Sequence, residues 1–217
     1  MNLDWVTTLQ QTAPRLGQTV RSGRPDFDLP SVPAVTRALL DQHGIRLVIW
    51  DVDGTLTAYH GKSIAPEYRE HVEGLFADAS LRHAILSNCG ESRFVELGSL
   101  FPGITLSRAY ATGGGPVLRL RTGDKDSHSG EALRALLHRG ARVIRKPCPV
   151  PFQLLLAEWA VPPSATLMVG DQYLTDVAGA NRAGIRSVKV PTYRPDTFPL
   201  ILRAGQRVER MLVRLAA

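Results

Sequence analysis

Four short motifs hold the groups that could do chemistry. The first is Asp51-Val52-Asp53-Gly54-Thr55-Leu56, with two carboxylates two residues apart. The others are Ser87-Asn88, Lys146-Pro147, and Gly170-Asp171-Gln172 followed by Thr175-Asp176. Four carboxylates drawn together would repel strongly unless a cation joined them. Hard oxygen ligands with few nitrogens or sulfurs point to Mg²⁺. A carboxylate can attack phosphorus and form an aspartyl-phosphate. Of Asp51 and Asp53, one can attack while the other handles the proton of the leaving oxygen and later of water. Phosphoryl transfer needs mainly positioning and charge neutralisation. Lys146, the Ser87 hydroxyl, loop amides and Mg²⁺ would supply both. Thr55 and Asn88, inside the same motifs, join Ser87 and Lys146 as expected substrate-binding residues.

Each motif follows a short apolar run. The runs at 46–50, 83–86, 142–144, 166–169 and 187–190 read as strands covered on both faces, as in a parallel sheet. Helical patterns lie between them at 66–77, 91–100, 130–139, 150–160 and 175–183, with one more near 35–42. Alternating strands and helices predict an α/β fold, a Rossmann-like parallel sheet flanked by helices. Ligands in such sheets bind beyond the carboxyl ends of the strands, where the four motifs stand. Residues 111–130, rich in glycine and polar side chains, read as loop.

In this order the motifs resemble those of the haloacid dehalogenase superfamily of aspartate-based phosphatases. The resemblance implies Asp51 as nucleophile and Asp53 as general acid/base. It implies Mg²⁺ held by the carboxylates of Asp51 and Asp171 and the backbone carbonyl of Asp53, with Asp176 in the same acidic motif. Ser87 and Lys146 would hold the phosphate. Further stretches look like the YqeG-type IIIA subfamily, which is similar to fungal mitochondrial phosphatidylglycerophosphate phosphatases. These are Arg145-Lys146-Pro147, Val169–Gln172, Gly179–Ile185, and the late Glu209-Arg210 segment with its leucines. Two departures stand out. Gly54 occupies a position where that subfamily often has Asn, and about 20 extra residues lie near 122–141. On this likeness the substrate is a phosphomonoester, with phosphatidylglycerophosphate favoured.

Three segments are expected: an N-terminal lead and helix (1–44), a catalytic domain (45–192), and a C-terminal helix (193–217). With 35 residues between Asp51 and Ser87 and 58 between Ser87 and Lys146, there is room for at most a small lid. An open site suits a phosphate carried on something large.

The 217 residues are 44% hydrophobic, a globular composition that excludes a disordered chain or a disulfide miniprotein. Two cysteines without a CxxC, no signal-like start over Met1–Gln11 and no long apolar stretch suggest a cytoplasmic protein. The net charge of +6 lies entirely in residues 177–217. There Arg203, Arg207, Arg210 and Arg214 recur at helical steps beside Ile201, Ala204, Val208, Met211, Leu212 and Leu215. Such a helix could make peripheral contact with the inner face of a membrane. It could equally pack its apolar stripe on the domain and leave the arginines in water. No aromatics interleave with the basic residues, so nucleic acid is not the expected partner. The histidines show no metal-ligand spacing. The rivals are a phosphatase of soluble or macromolecular phosphoesters and a non-catalytic module that binds through its tail.

Overall fold

The computed structural model describes residues 16–216, so the expectation for Met1–Gln11 lies outside the described residues. In chain order the strands are β1 (Phe27–Asp28), β2 (Leu47–Trp50), β3 (Arg82–Ile85), β4 (Thr105–Thr112), β5 (Gly115–Thr122), β6 (Lys125–Asp126), β7 (Arg142–Ile144), β8 (Thr166–Gly170) and β9 (Arg186–Lys189). They form one sheet in the order β1-β9-β8-β2-β3-β4-β5-β6, with β7 also on β4. From β1 to β4 every pairing is parallel. Both faces of that part are covered. In β2, Val48 and Trp50 join one apolar cluster and Leu47 and Ile49 the other. This accounts for an unbroken apolar run where a half-exposed strand would alternate. Helices Pro66–Phe76, Glu91–Leu100 and Val150–Trp159 fall where the periodicity places them.

Two expectations need correction. The sheet is not parallel throughout. β4 pairs antiparallel with β5 along its whole length, and β5 with β6. Much of the stretch read as loop is therefore a hairpin, whose turn at Gly113-Gly114 breaks an otherwise continuous pairing. Its strands were hidden because Arg119 and Arg121 interrupt the apolar pattern. Arg119 is buried all the same, paired with Glu91 and Asp126 at 2.7 Å each. Likewise β7 runs antiparallel to β4. It takes over the edge that β3 occupies at the start of β4 and heads back toward the end of β3. The extra residues form a turn, a two-residue strand and the helix Gly130–His138.

The C-terminal helix runs over Leu200–Leu215, inside the expected segment 193–217. Its buried residues are Glu209 and Val213, with Leu202 and Gln206 partly covered on the same row. The aliphatic stripe faces away: Ile201 is 54% exposed, Val208 50% and Met211 54%. The stripe therefore does not pack on the domain. No helix among the described residues is long and apolar enough to cross a membrane.

Candidate active site

The sheet brings the motifs together through its ladder. Past the end of β2, the Asp51 amide donates to the Val169 carbonyl at 2.9 Å and Leu86 N donates to Trp50 O at 3.0 Å. Asp51 thus stands between the ends of β8 and β3, with Asp171 one residue beyond β8. Carboxylate oxygens of Asp51, Asp171 and Asp176 all lie within 4.8 Å of one another, and all three residues are buried. Asp176 reaches them from a wide turn, Tyr173–Val177, that precedes the short helix Ala178–Arg182 where a continuous helix over 175–183 was expected. Gly170 makes this approach possible, because a Cβ there would collide with the Asp176 carboxyl group.

Lys146 is the cation among them. Its Nζ lies 2.7 Å from an oxygen of Asp51 and 2.7 Å from Asp176 Oδ1. The first contact is a hydrogen bond. The second is an ion pair off the hydrogen-bonding direction, which leaves Asp176 Oδ1 without an aligned donor. Asp176 Oδ2 accepts the Gln172 amide at 3.0 Å. One ammonium cannot balance three buried carboxylates. Burial pushes the Asp51 carboxyl up to about 7, with Lys146 opposing and Asp176 adding to the rise. Burial, then Asp176 and Asp51, holds Asp171 well above the usual range. Desolvation would lower Lys146, but its two carboxylate neighbours outweigh it and raise it. Three converging oxygen donors, one lacking a directed partner, fit a small divalent cation such as Mg²⁺.

The remaining predicted residues are placed as follows. Lys146, not its neighbour Arg145, faces the acids; Arg145 donates to Asn88 O at 2.7 Å. Asn88, expected at the substrate, uses both ends of its amide on the Lys146 backbone, at 2.9 Å each. It holds the lysine in place. Thr55, also expected at the substrate, is buried and lies 3.4 Å from Asp171 Oδ1. Ser87, half-buried, follows β3 by two residues. The Asp53 carboxylate lies outside the acidic cluster. It accepts from Arg93 Nη2 at 2.7 Å and from the His60 amide at 3.0 Å.

Several residues at the site were not singled out from sequence. Arg93 is buried in the first turn of helix Glu91–Leu100, one turn from Leu97; a charged residue on the apolar side of a helix was the available signal. The segment after β9 closes over the first motif. The Tyr193 amide donates to Gly54 O at 2.7 Å, and a Cβ on Gly54 would come 2.7 Å from the Phe198 ring. Gln206 Nε2 reaches Asp171 Oδ2 at 3.5 Å. The tail is thus part of the site's wall.

Residues 143–196, from β7 through the acid loop and β9, match the family model described as HAD-hydrolase-like. Chronophin of Homo sapiens is 29% identical over 175 residues, 78% of this chain and 53% of the relative. Chronophin of Mus musculus is 36% identical over 78 residues, 35% of this chain and 27% of the relative. The chain therefore spans about half the length, or less, of these curated relatives. A HAD-like family hydrolase from Porphyromonas gingivalis superposes with a TM-score of 0.41 at 15% identity, over 75% of this chain and 98% of that one. The fold itself is mixed α/β, a largely parallel central sheet flanked by helices.

Proposed function

We propose that the protein is a Mg²⁺-dependent phosphomonoesterase working through an Asp51 phosphoenzyme. The observation that carries this reading is the convergence of Asp51, Asp171 and Asp176 within 4.8 Å, with Lys146 Nζ 2.7 Å from two of them. An Asp51 oxygen attacks phosphorus and the ester P–O bond breaks. The leaving oxygen takes a proton from Asp53. Water then attacks the phosphorus, gives its proton to the Asp53 carboxylate, and inorganic phosphate leaves Asp51. Asp53 must carry a proton for the first step and be ionised for the second, and Arg93 Nη2, 2.7 Å away, orients its carboxyl group. Lys146 and Ser87 hold the phosphate. Asp51, Asp171, Asp176 and the Asp53 carbonyl would hold Mg²⁺, which when bound neutralises charge on the carboxylates and the phosphate.

The favoured substrate is a lipid phosphate of the phosphatidylglycerophosphate kind, met at a membrane surface. Two features support it: the YqeG-like motifs and the exposed stripe of Ile201, Val208 and Met211 beside a row of arginines. A soluble phosphoester is the alternative. The test offers purified protein with Mg²⁺ a lipid phosphate in mixed micelles, a panel of sugar phosphates and a phosphopeptide. Turnover of the lipid, lost in Asp51→Asn, is the expected result. Full activity in Asp51→Asn overturns the mechanism. Turnover of a soluble ester alone overturns the lipid assignment.

A further inference from the structure

The inner face of the C-terminal helix poses a question that its packing does not answer. A helix that needed only to dock would turn its aliphatic stripe inward. This one turns Leu202, Gln206, Glu209 and Val213 inward and leaves Ile201, Val208 and Met211 exposed. The middle of the buried row is polar, and burying a carboxylate costs free energy unless its oxygens are used. Glu209 uses one of them. Oε1 accepts the amide of Tyr173. That amide opens the wide turn Tyr173–Val177, which carries Asp176, and no earlier carbonyl in that turn can pair with it. One helical turn away, Gln206 reaches Asp171 itself. The same row of the helix therefore grips the acid loop at Asp171 and at Tyr173.

We infer that Glu209 is a positioning residue for the metal-binding acids. By accepting the Tyr173 amide it fixes the loop so that Asp171 and Asp176 converge on Asp51. The inference rests on the phosphatase reading only for the purpose it gives those acids. The tail is then a working part of the catalytic unit, and its outer stripe and inner row sit on one rigid element. Anything that docks on the stripe acts on the same helix that holds the acid loop.

The test is calorimetric titration of Mg²⁺ into the full chain, with 4-nitrophenyl phosphate turnover measured in parallel. Glu209→Ala should weaken Mg²⁺ binding about tenfold, in the range seen when residues that orient metal ligands are removed. It should lower kcat with little change in KM. Glu209→Asp, which keeps the charge but draws the oxygens back by one methylene, should also weaken Mg²⁺ binding. It serves if the alanine variant does not fold. Glu209→Gln keeps one acceptor and should fall between wild type and alanine. Val213→Ala loosens the same helix without touching an acceptor and should bind Mg²⁺ as wild type does. Wild-type Mg²⁺ affinity in Glu209→Asp or Glu209→Ala overturns the inference. So does an equal loss in Val213→Ala, which would reduce Glu209 to packing. If wild type turns over no phosphomonoester yet the order of Mg²⁺ affinities holds, the phosphatase reading fails and the positioning role stands. If wild type binds no Mg²⁺, both fail.

Discussion

Arg93 holds the carboxylate of Asp53, with Nη2 2.7 Å from Oδ1, while its own side chain is almost wholly buried. The same guanidinium donates to the Gly61 carbonyl at 2.8 Å and to Glu96 at 2.8 Å. It ties the loop after the first motif to the helix after the second. Arg93→Ala removes one partner of this pair and should destabilise the fold by about 3 kcal/mol, seen as a lower urea midpoint. With Asp53 no longer held, catalysis should fall by more than the unfolded fraction explains. An Arg93→Ala variant with wild-type kcat would show that the pair plays no part in turnover.

Gly54 and Phe198 exclude any side chain between them. Gly54 has φ +92°, and a Cβ there would lie 2.7 Å from the Phe198 ring and 3.0 Å from Asp171 Oδ2. Asn tolerates positive φ better than most residues, so the obstacle to Gly54→Asn is mainly the ring. Gly54→Asn should lower the melting temperature and weaken Mg²⁺ binding. The strain is of the order of 1–3 kcal/mol. Adding Phe198→Ala should recover part of both losses. Strictly additive losses in the double variant, measured as a mutant cycle, would rule out this steric coupling.

Lys146 offsets part of the repulsion among three buried acids, so its removal should make the fold depend more on a divalent cation. Lys146→Met should melt lower than wild type in EDTA, and Mg²⁺ should raise its melting temperature by more than it raises that of wild type. A ligand at about 100 times its Kd stabilises by about 2.7 kcal/mol, enough to resolve the difference. An identical Mg²⁺ increment in the two proteins would show that Lys146 does not share the charge of this cluster.

His83 is a neutral core histidine. Its Nε2–H donates to Leu75 O at 2.9 Å, and its Nδ1 accepts from Trp50 Nε1–H at 3.1 Å. Burial pulls its pKa down to about 4, against about 6.5 for an exposed imidazole. Between these values the unfolded chain binds the proton and the folded one does not, so stability rises with pH across that window. Acidification from about 6.5 to 4 should cost up to about 3 kcal/mol from this group. The imidazole signals of His83, followed by NMR, should stay in the neutral position down to about pH 5. Titration near 6.5 would contradict this burial.

What could be read from sequence follows from where the physics is local. The strand ends that place Asp51 and Asp171 lie beside short apolar runs covered on both faces, and Lys146 follows a shorter run that is only partly covered; such runs are visible one residue at a time. The hairpin of β4 and β5 was not, because its buried Arg119 is satisfied by Glu91 and Asp126, 28 and 7 residues away. Asn88 shows the same limit. Its side chain looked available for a ligand, yet it clamps the backbone of a lysine 58 residues on. The spacing of the tail revealed its rows but not which row faces inward. The inward row is the one whose Glu209 accepts the Tyr173 amide, a contact 36 residues apart that spacing does not record.

The outer rows of that helix yield the last prediction. Residues 201, 204, 208, 211 and 215 form the exposed aliphatic stripe, and Arg203, Arg207, Arg210 and Arg214 form the row about 100° around from it. An aliphatic stripe bordered by guanidiniums matches a surface that is apolar inside and anionic at its face. Each arginine near an anionic lipid surface contributes about 1 kcal/mol, weakened by salt because the Debye length shrinks. The protein should therefore sediment with vesicles containing phosphatidylglycerol at low salt and much less at about 0.5 M salt. Replacing Ile201, Val208 and Met211 with Ser should reduce vesicle binding while leaving the melting temperature close to wild type, since none of the three is buried in the domain. Charge reversal at Arg207 and Arg210 should abolish the salt-sensitive part. Unchanged vesicle binding in the Ser variant would mean that the stripe does not enter the lipid surface.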